Sequence, residues 1–229
     1  MPGGCIHESF RVQVHGRTRF LKTNEASFDA VFAAEADGLH ALRAAGVRAP
    51  EPLTNGTAGG KAFLLLEWLD LGKAGDFAAL GLTLAELHRH SGPAFGWRRD
   101  NYIGATAQRN GWCDGWSEFW HDRRLKPQLQ LAEQKGYRLD RALFARACAV
   151  LRGHAPAPSL VHGDLWSGNA AFTPHGPVLF DPAVYYGDRE VDLAMTELFG
   201  GFPKEFYAAY QQAFPLLAGY ETRKILYNL

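Results

Sequence analysis

The chain changes its hydrophobic rhythm several times. Phe10 to Val14 alternates apolar and polar positions, and His15-Gly16 then turns into Arg19-Phe20-Leu21-Lys22, the pattern of a β-hairpin. Ser27 is placed to cap a helix running to about Ala45, closed by Gly46, with Pro50 and Pro52 preventing its continuation. Phe28, Phe32, Leu39 and Leu42 mark one face of that helix. Lys61 to Trp68 contains an apolar run, Ala62 to Leu66, as long as any in the chain, and reads as a buried strand. Gly72 to Gly75 breaks the pattern. The remainder is mainly helical, apart from short strands around Leu160 and over Val178 to Phe180. A strand-rich part followed by a helical part predicts an α+β fold of two lobes with a cleft between them. The division falls near residues 69–75, giving an N-lobe of residues 1–69 and a C-lobe of residues 70–229.

Composition narrows the partners. With 229 residues, 47% of them hydrophobic and 21% charged, the chain has the makings of a sizeable core and is not a disordered segment. Lys plus Arg equals Asp plus Glu at 24 each, so no global charge draws it to nucleic acid or an anionic membrane. Cys5, Cys113 and Cys148 form neither a disulfide framework nor a zinc pattern, which fits a reducing cytoplasm. The start lacks a signal-peptide pattern, and no apolar run is long enough to span a bilayer.

The densest chemistry lies in Leu160-Val161-His162-Gly163-Asp164-Leu165-Trp166-Ser167-Gly168-Asn169. An Asp and an Asn follow a short apolar strand at the spacing of the kinase catalytic loop, H-x-D-x-x-x-x-N. Such an Asp holds the attacking hydroxyl in line, while the Asn reaches a metal ion on the phosphates. The strand Val178-Leu179-Phe180 then ends in Asp181, placed to be a second Mg²⁺ ligand. Singly, each of these residues suits an ordinary turn; as an ordered set they point to phosphoryl transfer. His162 is expected to prop the loop rather than move protons. Glu35 lies on the apolar stripe of the first helix, where a buried carboxylate needs a cation. Lys22, at the end of a predicted strand, supplies one, as in the kinase Lys–Glu pair that positions ATP phosphates. Glu67-Trp68-Leu69 follows the buried strand where the lobes join and where backbone groups could bond an adenine edge. Gly3-Gly4-Cys5 falls where a glycine-rich loop would cover the phosphates.

With these residues in place, the sequence resembles the fructosamine kinase (ketosamine kinase) family, whose protein-kinase-like fold is akin to that of aminoglycoside phosphotransferases and choline kinases. The resemblance is carried by the loop with Trp166 after Asp164-Leu165, by Gly3-Gly4-Cys5-Ile6 with Phe20-Leu21-Lys22-Thr23-Asn24, and by Asn101-Tyr102-Ile103-Gly104 with Gln108 and Asn110. Trp116 through Phe119 to Arg124-Leu125 adds to it, as does Asp181-Pro182-Ala183-Val184-Tyr185-Tyr186-Gly187-Asp188-Arg189-Glu190-Val191-Asp192-Leu193. It implies ATP- and Mg²⁺-dependent phosphorylation, at O3, of free or protein-bound ketosamines, a deglycation repair activity. By position, Asp164 is the implied base and Asn169 and Asp181 the implied metal ligands. Lys22 and Glu35 become the phosphate-positioning pair and Glu67, Trp68 and Leu69 the adenine hinge. Trp166 is expected to line the sugar pocket, because an indole face suits the C–H face of a sugar. Asp188 and Asp192 are expected to support the loop.

Two departures qualify the implication. Family chains start further upstream with a helix and the first N-lobe strand, so this N-lobe is expected to lack that strand. The end at Leu229 is also early. No D-F-G motif is present, and no A-P-E motif or activation loop follows the catalytic loop, which disfavours a regulated protein kinase. Rival readings are a phosphotransferase of the same fold acting on an aminoglycoside or choline-like alcohol, and a truncated pseudokinase. Against the first, Trp97, Trp112, Trp116 and Trp120 stand among basic residues rather than in an acidic pocket. Against the second, all five kinase side chains are retained.

Overall fold

The computed structural model describes residues 7–138 and 140–229, so Gly3, Gly4 and Cys5 lie outside the described residues. Strands β1 (Glu8–Val14) and β2 (Arg17–Glu25) form the expected hairpin, with the His15-Gly16 turn in the left-handed region that a two-residue connection requires. Ser27 does not cap the helix. It sits within a 3₁₀ turn over Ala26–Phe28, and α1 (Asp29–Ala44) starts beyond it without a side-chain cap. Asp29 instead places a carboxylate in the first turn, where the helix dipole favours it.

Strands β3 (Pro52–Ala58) and β4 (Lys61–Glu67) complete an antiparallel sheet of order β1-β2-β4-β3. Alternation along β4 turns Ala62, Leu64 and Leu66 inward, against Phe32, Ala36, Leu39 and Leu42 of α1. Each fully buried leucine here is worth about 1.5–3 kcal/mol relative to exposure. Lys22 pairs with Leu64 across the β2–β4 ladder, so it shares the buried face. A one-residue slip would turn it to the opposite face.

Beyond residue 68 the chain is irregular until α2 (Phe77–His88), which Asp76 caps through the Ala79 amide at 2.9 Å. There follow the hairpin β5 (Asn101–Ile103) and β6 (Thr106–Gln108), then α3 (Trp116–Trp120), which runs through a π turn over His121–Leu125 into α4 (Lys126–Gln134). Next come α5 (Arg141–Cys148), β7 (Ser159–Val161), and the hairpin of β8 (Ala170–Thr173) with β9 (Gly176–Leu179). β10 (Tyr185–Gly187) returns to pair with β7, ahead of α6 (Glu190–Leu198), α7 (Lys204–Ala213) and α8 (Tyr220–Tyr227). Among the described residues, three short two-stranded ladders therefore punctuate the helical part. Their strands are too brief to show a period in the sequence.

One core cluster crosses between the two parts, joining α1 and β4 to Leu80 and Leu84 of α2, Leu165, Leu179 of β9 and Val184. A second cluster gathers Trp116, Phe119, Trp120, Leu125, Tyr185 and Leu226. No helix among the described residues is long and apolar enough to cross a membrane.

Candidate active site

The segment after β7 is held open by hydrogen bonds that the side chains of other elements provide. Asp192 on α6, buried, accepts the His162 amide at 2.7 Å and the Gly163 amide at 2.9 Å, and the His88 ring contacts it at 3.0 Å. These donors hold the Asp192 carboxyl below its usual range even though burial acts the other way. Asp188 does not reach the loop: it meets His154 at 2.6 Å and accepts the Tyr227 hydroxyl at 2.6 Å. His154, Asp188 and Glu190 form a compact acidic group, but Arg223 neutralises Glu190 through two nitrogens. Gly163 stands at φ 82°, and a Cβ there would lie 2.2 Å from the Ala183 carbonyl oxygen. Only glycine fits that turn.

His162 is buried and bridges the two halves of the site. Its Nδ1 accepts the Asp164 amide at 3.3 Å, so its Nε2–H donates to the Phe180 carbonyl at 3.1 Å. Burial lowers its pKa, keeping a neutral ring in a propping position. Asp164 opens on the cleft. Burial pushes its carboxyl up to about 6, with Asp181 and Asp192 adding to the rise and the Asn169 hydrogen bond opposing it. The Asn169 Nδ2 donates to the Asp164 carbonyl at 2.8 Å and to its Oδ2 at 3.1 Å. That orientation leaves the amide oxygen as the acceptor at the cleft.

Asp181 closes the triangle from the other side. It precedes Pro182 and adopts φ 55°, a conformation that a residue before proline avoids and that costs on the order of 1–3 kcal/mol. Its Oδ1 accepts the Lys22 ammonium at 2.5 Å, and Lys22 also reaches Glu35 at 2.7 Å. Two carboxylates thus share one buried ammonium. Burial works against the Lys22 charge, but the two acids outweigh it and raise its pKa. Asp181 keeps its charge: burial opposes ionisation, yet Lys22 holds the group below the usual range. Glu35 takes the excess, pushed up to about 7 by burial and by the neighbouring Asp181 charge.

These side chains line a cleft of about 1390 Å³ between the sheet and the helical part. Lys22, Glu35, Asp164, Asn169, Asp181, Trp166, Glu67, Trp68 and Leu69 all line it, so the predicted positions converge on one cavity. At the hinge, the Glu67 carboxylate is engaged by Arg48 at 2.6 Å, with Arg43 at 3.9 Å. The Trp68 indole donates to Asp70 at 2.8 Å and carries Arg11 over its ring at 5.0 Å. Among the described residues no backbone hydrogen bond engages Leu69, which leaves its main chain for a ligand. Trp166 is half-buried, with Phe199 set edge-on at 5.6 Å.

Some features escaped sequence reasoning. His7 lines the cleft beside Lys22, its ring 4.8 Å from that of Phe32, and burial lowers its pKa. A lone histidine near the start carried no spacing signal. Asn101 and Tyr102 also line the cleft. Of the tryptophans that stand among basic residues in this segment, Trp116 and Trp120 are core residues set edge-on to Tyr227, and Trp112 stacks on Tyr186. Trp116 and Trp120 thus serve packing, while Trp112 stays 47% exposed.

Comparison with known proteins agrees with this fold. The fructosamine kinase family model matches residues 1–229. A relative designated a probable ketoamine kinase in Synechocystis is 47% identical over 99% of this chain and 79% of its own length. Another so designated, from Vibrio cholerae, is 42% identical over 99% of this chain and 81% of its own. The crystal structure of a candidate fructosamine-3-kinase from Haemophilus somnus superposes with a TM-score of 0.93 at 34% identity, covering 99% of this chain and 79% of that one. An aminoglycoside-3'-phosphotransferase of type VIII, at 21% identity and a TM-score of 0.59 over 99% of this chain and 88% of that one, shares the bilobal kinase-like fold. The chain belongs to the fructosamine kinase family, a family of small-molecule kinases.

Proposed function

We propose that this protein transfers the γ-phosphate of ATP to the O3 hydroxyl of a ketosamine, a step that destabilises the adduct and serves deglycation in the cytoplasm. The observation that carries the reading is the convergence of the Lys22–Glu35 pair, Asp181, Asp164 and Asn169 on one cleft. The names of the relatives support the acceptor class. In this reading residues 1–69 are the nucleotide lobe and residues 70–229 the acceptor lobe.

Asp164 accepts the proton of the attacking hydroxyl. A carboxyl with a pKa of about 6 is ionised at neutral pH and still basic enough to help. Lys22, pre-set by Glu35, holds the phosphates in line. The Leu69 main chain faces the adenine edge, and the Trp166 ring takes the C–H face of the sugar. For Mg²⁺, the fit is good. The Asn169 amide oxygen is left over once its nitrogen is committed to Asp164. The Asp181 carboxylate, 44% exposed, stays ionised with only its Oδ1 bonded to Lys22. Hard oxygens suit the ion, and when bound it neutralises charge developing on the phosphoryl group.

The test is turnover with MgATP and a fructosyl-amine, read as phosphorylated adduct. Wild type is expected to form it, and Asp164→Asn to bind ATP but abolish the reaction. Undiminished turnover in that variant would remove Asp164 from its role. ATP binding without turnover by wild type would overturn the ketosamine acceptor and send the search to other alcohols.

A further inference from the structure

Helix α1 presents one side to the catalytic centre and another to the segment leading into β5. Glu35 reaches Lys22, and two residues on, Asp37 leaves the helix toward that segment. Its Oδ2 accepts the Trp97 indole N–H at 2.7 Å, and the Arg98 guanidinium bonds its Oδ1. The Asp37 carboxylate is only 13% exposed, although its Arg98 partner is exposed, so the enclosed contact is the one with the Trp97 indole. Arg99 adds a bond to the Ala33 carbonyl at 3.3 Å. Gly38, next along, lies against Pro182, whose Cγ would be 3.0 Å from a Cβ at that position.

The segment that grips α1 is anchored in turn. Gly96 and Tyr186 exchange two backbone bonds at 2.9 and 2.8 Å, and Trp97 packs on the Tyr186 ring at 5.4 Å. Tyr186 lies on β10, which pairs with β7, the strand that leads into His162. A few residues on, Asn101 donates to the Val184 carbonyl at 2.8 Å, and Asn101, Tyr102 and Gly104 line the cleft. One short stretch therefore touches the Glu35 helix, the catalytic-loop strands and the cleft wall.

We propose that Asp37, with Trp97 and Arg98, is a latch that positions α1 so that Glu35 holds Lys22 for ATP. In kinases the Lys–Glu pair must be assembled for activity and is commonly controlled through the placement of its helix. Here the latch takes the place of an activation loop and ties the helix to the acceptor wall through residues 97–104. Asp37, Trp97 and Arg98 are positioning residues that act through Glu35 and Lys22.

The inference rests on the proposed phosphotransfer, but its test reads nucleotide binding directly and needs no acceptor. MgATP titration of the purified chain is expected to show about a tenfold loss of affinity in Asp37→Ala, equivalent to ~1.4 kcal/mol. Trp97→Phe keeps the ring and removes the N–H donor; it should weaken binding too, and adding it to Asp37→Ala should weaken binding no further. Asp37→Asn keeps an oxygen for the indole and should fall between. Where turnover is measured, KM for ATP rises while kcat changes less. The latch is overturned if Asp37→Ala binds MgATP within twofold of wild type. It is also overturned if affinity falls only in step with melting temperature across the three variants, the signature of a purely structural pair. If wild type shows no turnover with a fructosyl-amine yet the binding pattern holds, the acceptor assignment fails and the latch stands.

Discussion

Replacing Asp192 by alanine should cost more than any surface change in this protein. The carboxylate is buried and accepts the His162 and Gly163 amides and meets the His88 ring. Its removal leaves three buried donors without their acceptor, at ~1–3 kcal/mol each. Water entering the vacated space recovers part of this, leaving a loss of about 3–5 kcal/mol. Asp192→Asn keeps one oxygen. It can serve the His162 and His88 side and turn its amide nitrogen toward Gly163, so about 1–3 kcal/mol is expected. The assay is urea unfolding at pH 7, comparing midpoints at unchanged slope. For a chain of this size each kcal/mol moves Tm by roughly 2–4 °C. The depressed pKa fixes the pH signature. A carboxyl held low when folded adds stability above its unfolded pKa, and this is lost as pH falls through the folded value. The difference between wild type and Asp192→Asn should therefore shrink only in the acid range, below the ordinary aspartate pKa. An Asp192→Ala unfolding free energy within about 1 kcal/mol of wild type would refute the claim that these bonds hold the loop.

Two further outcomes follow from the same site. Because the Asp164 carboxyl is raised to about 6, kcat/KM, which reports the free enzyme, should fall with a single-proton slope as pH drops through about 6 and level off above it; a profile flat down to pH 5 would contradict a base with that pKa. Gly163→Ala forces a side chain into a left-handed turn 2.2 Å from the Ala183 carbonyl, so the loop must shift and turnover should collapse even where the folded protein still binds MgATP; a fully active variant would show that the turn relaxes freely.

Much of the site could be read along the chain because local chemistry demanded it. Asp164 and Asn169 share one tight loop, so their spacing is set by covalent reach, and Asn169 does bond Asp164. Glu35 stood out because a carboxylate on an apolar helical stripe requires a cation, and Lys22 provides one. The hairpin, α1 and the buried β4 followed from periods of two and 3.6 that packing enforces.

What the sequence could not determine depends on contacts between distant segments. The sharing of Lys22 between Glu35 and Asp181 joins residues 159 positions apart, and only folding shows which carboxylate keeps its charge. The Asp192 clamp and the grip of Asp37 on Trp97 and Arg98 likewise have no local spacing to betray them. Ser27 failed as a cap because a 3₁₀ turn absorbs it. Which of the four tryptophans belong to the core, as Trp116 and Trp120 do, was not legible in the sequence, because an aromatic residue carries the same letter whether it faces a ligand or another ring. Pattern along the chain specifies which groups want partners; the tertiary fold decides which partners they find, because burial and charge act through space rather than along the backbone.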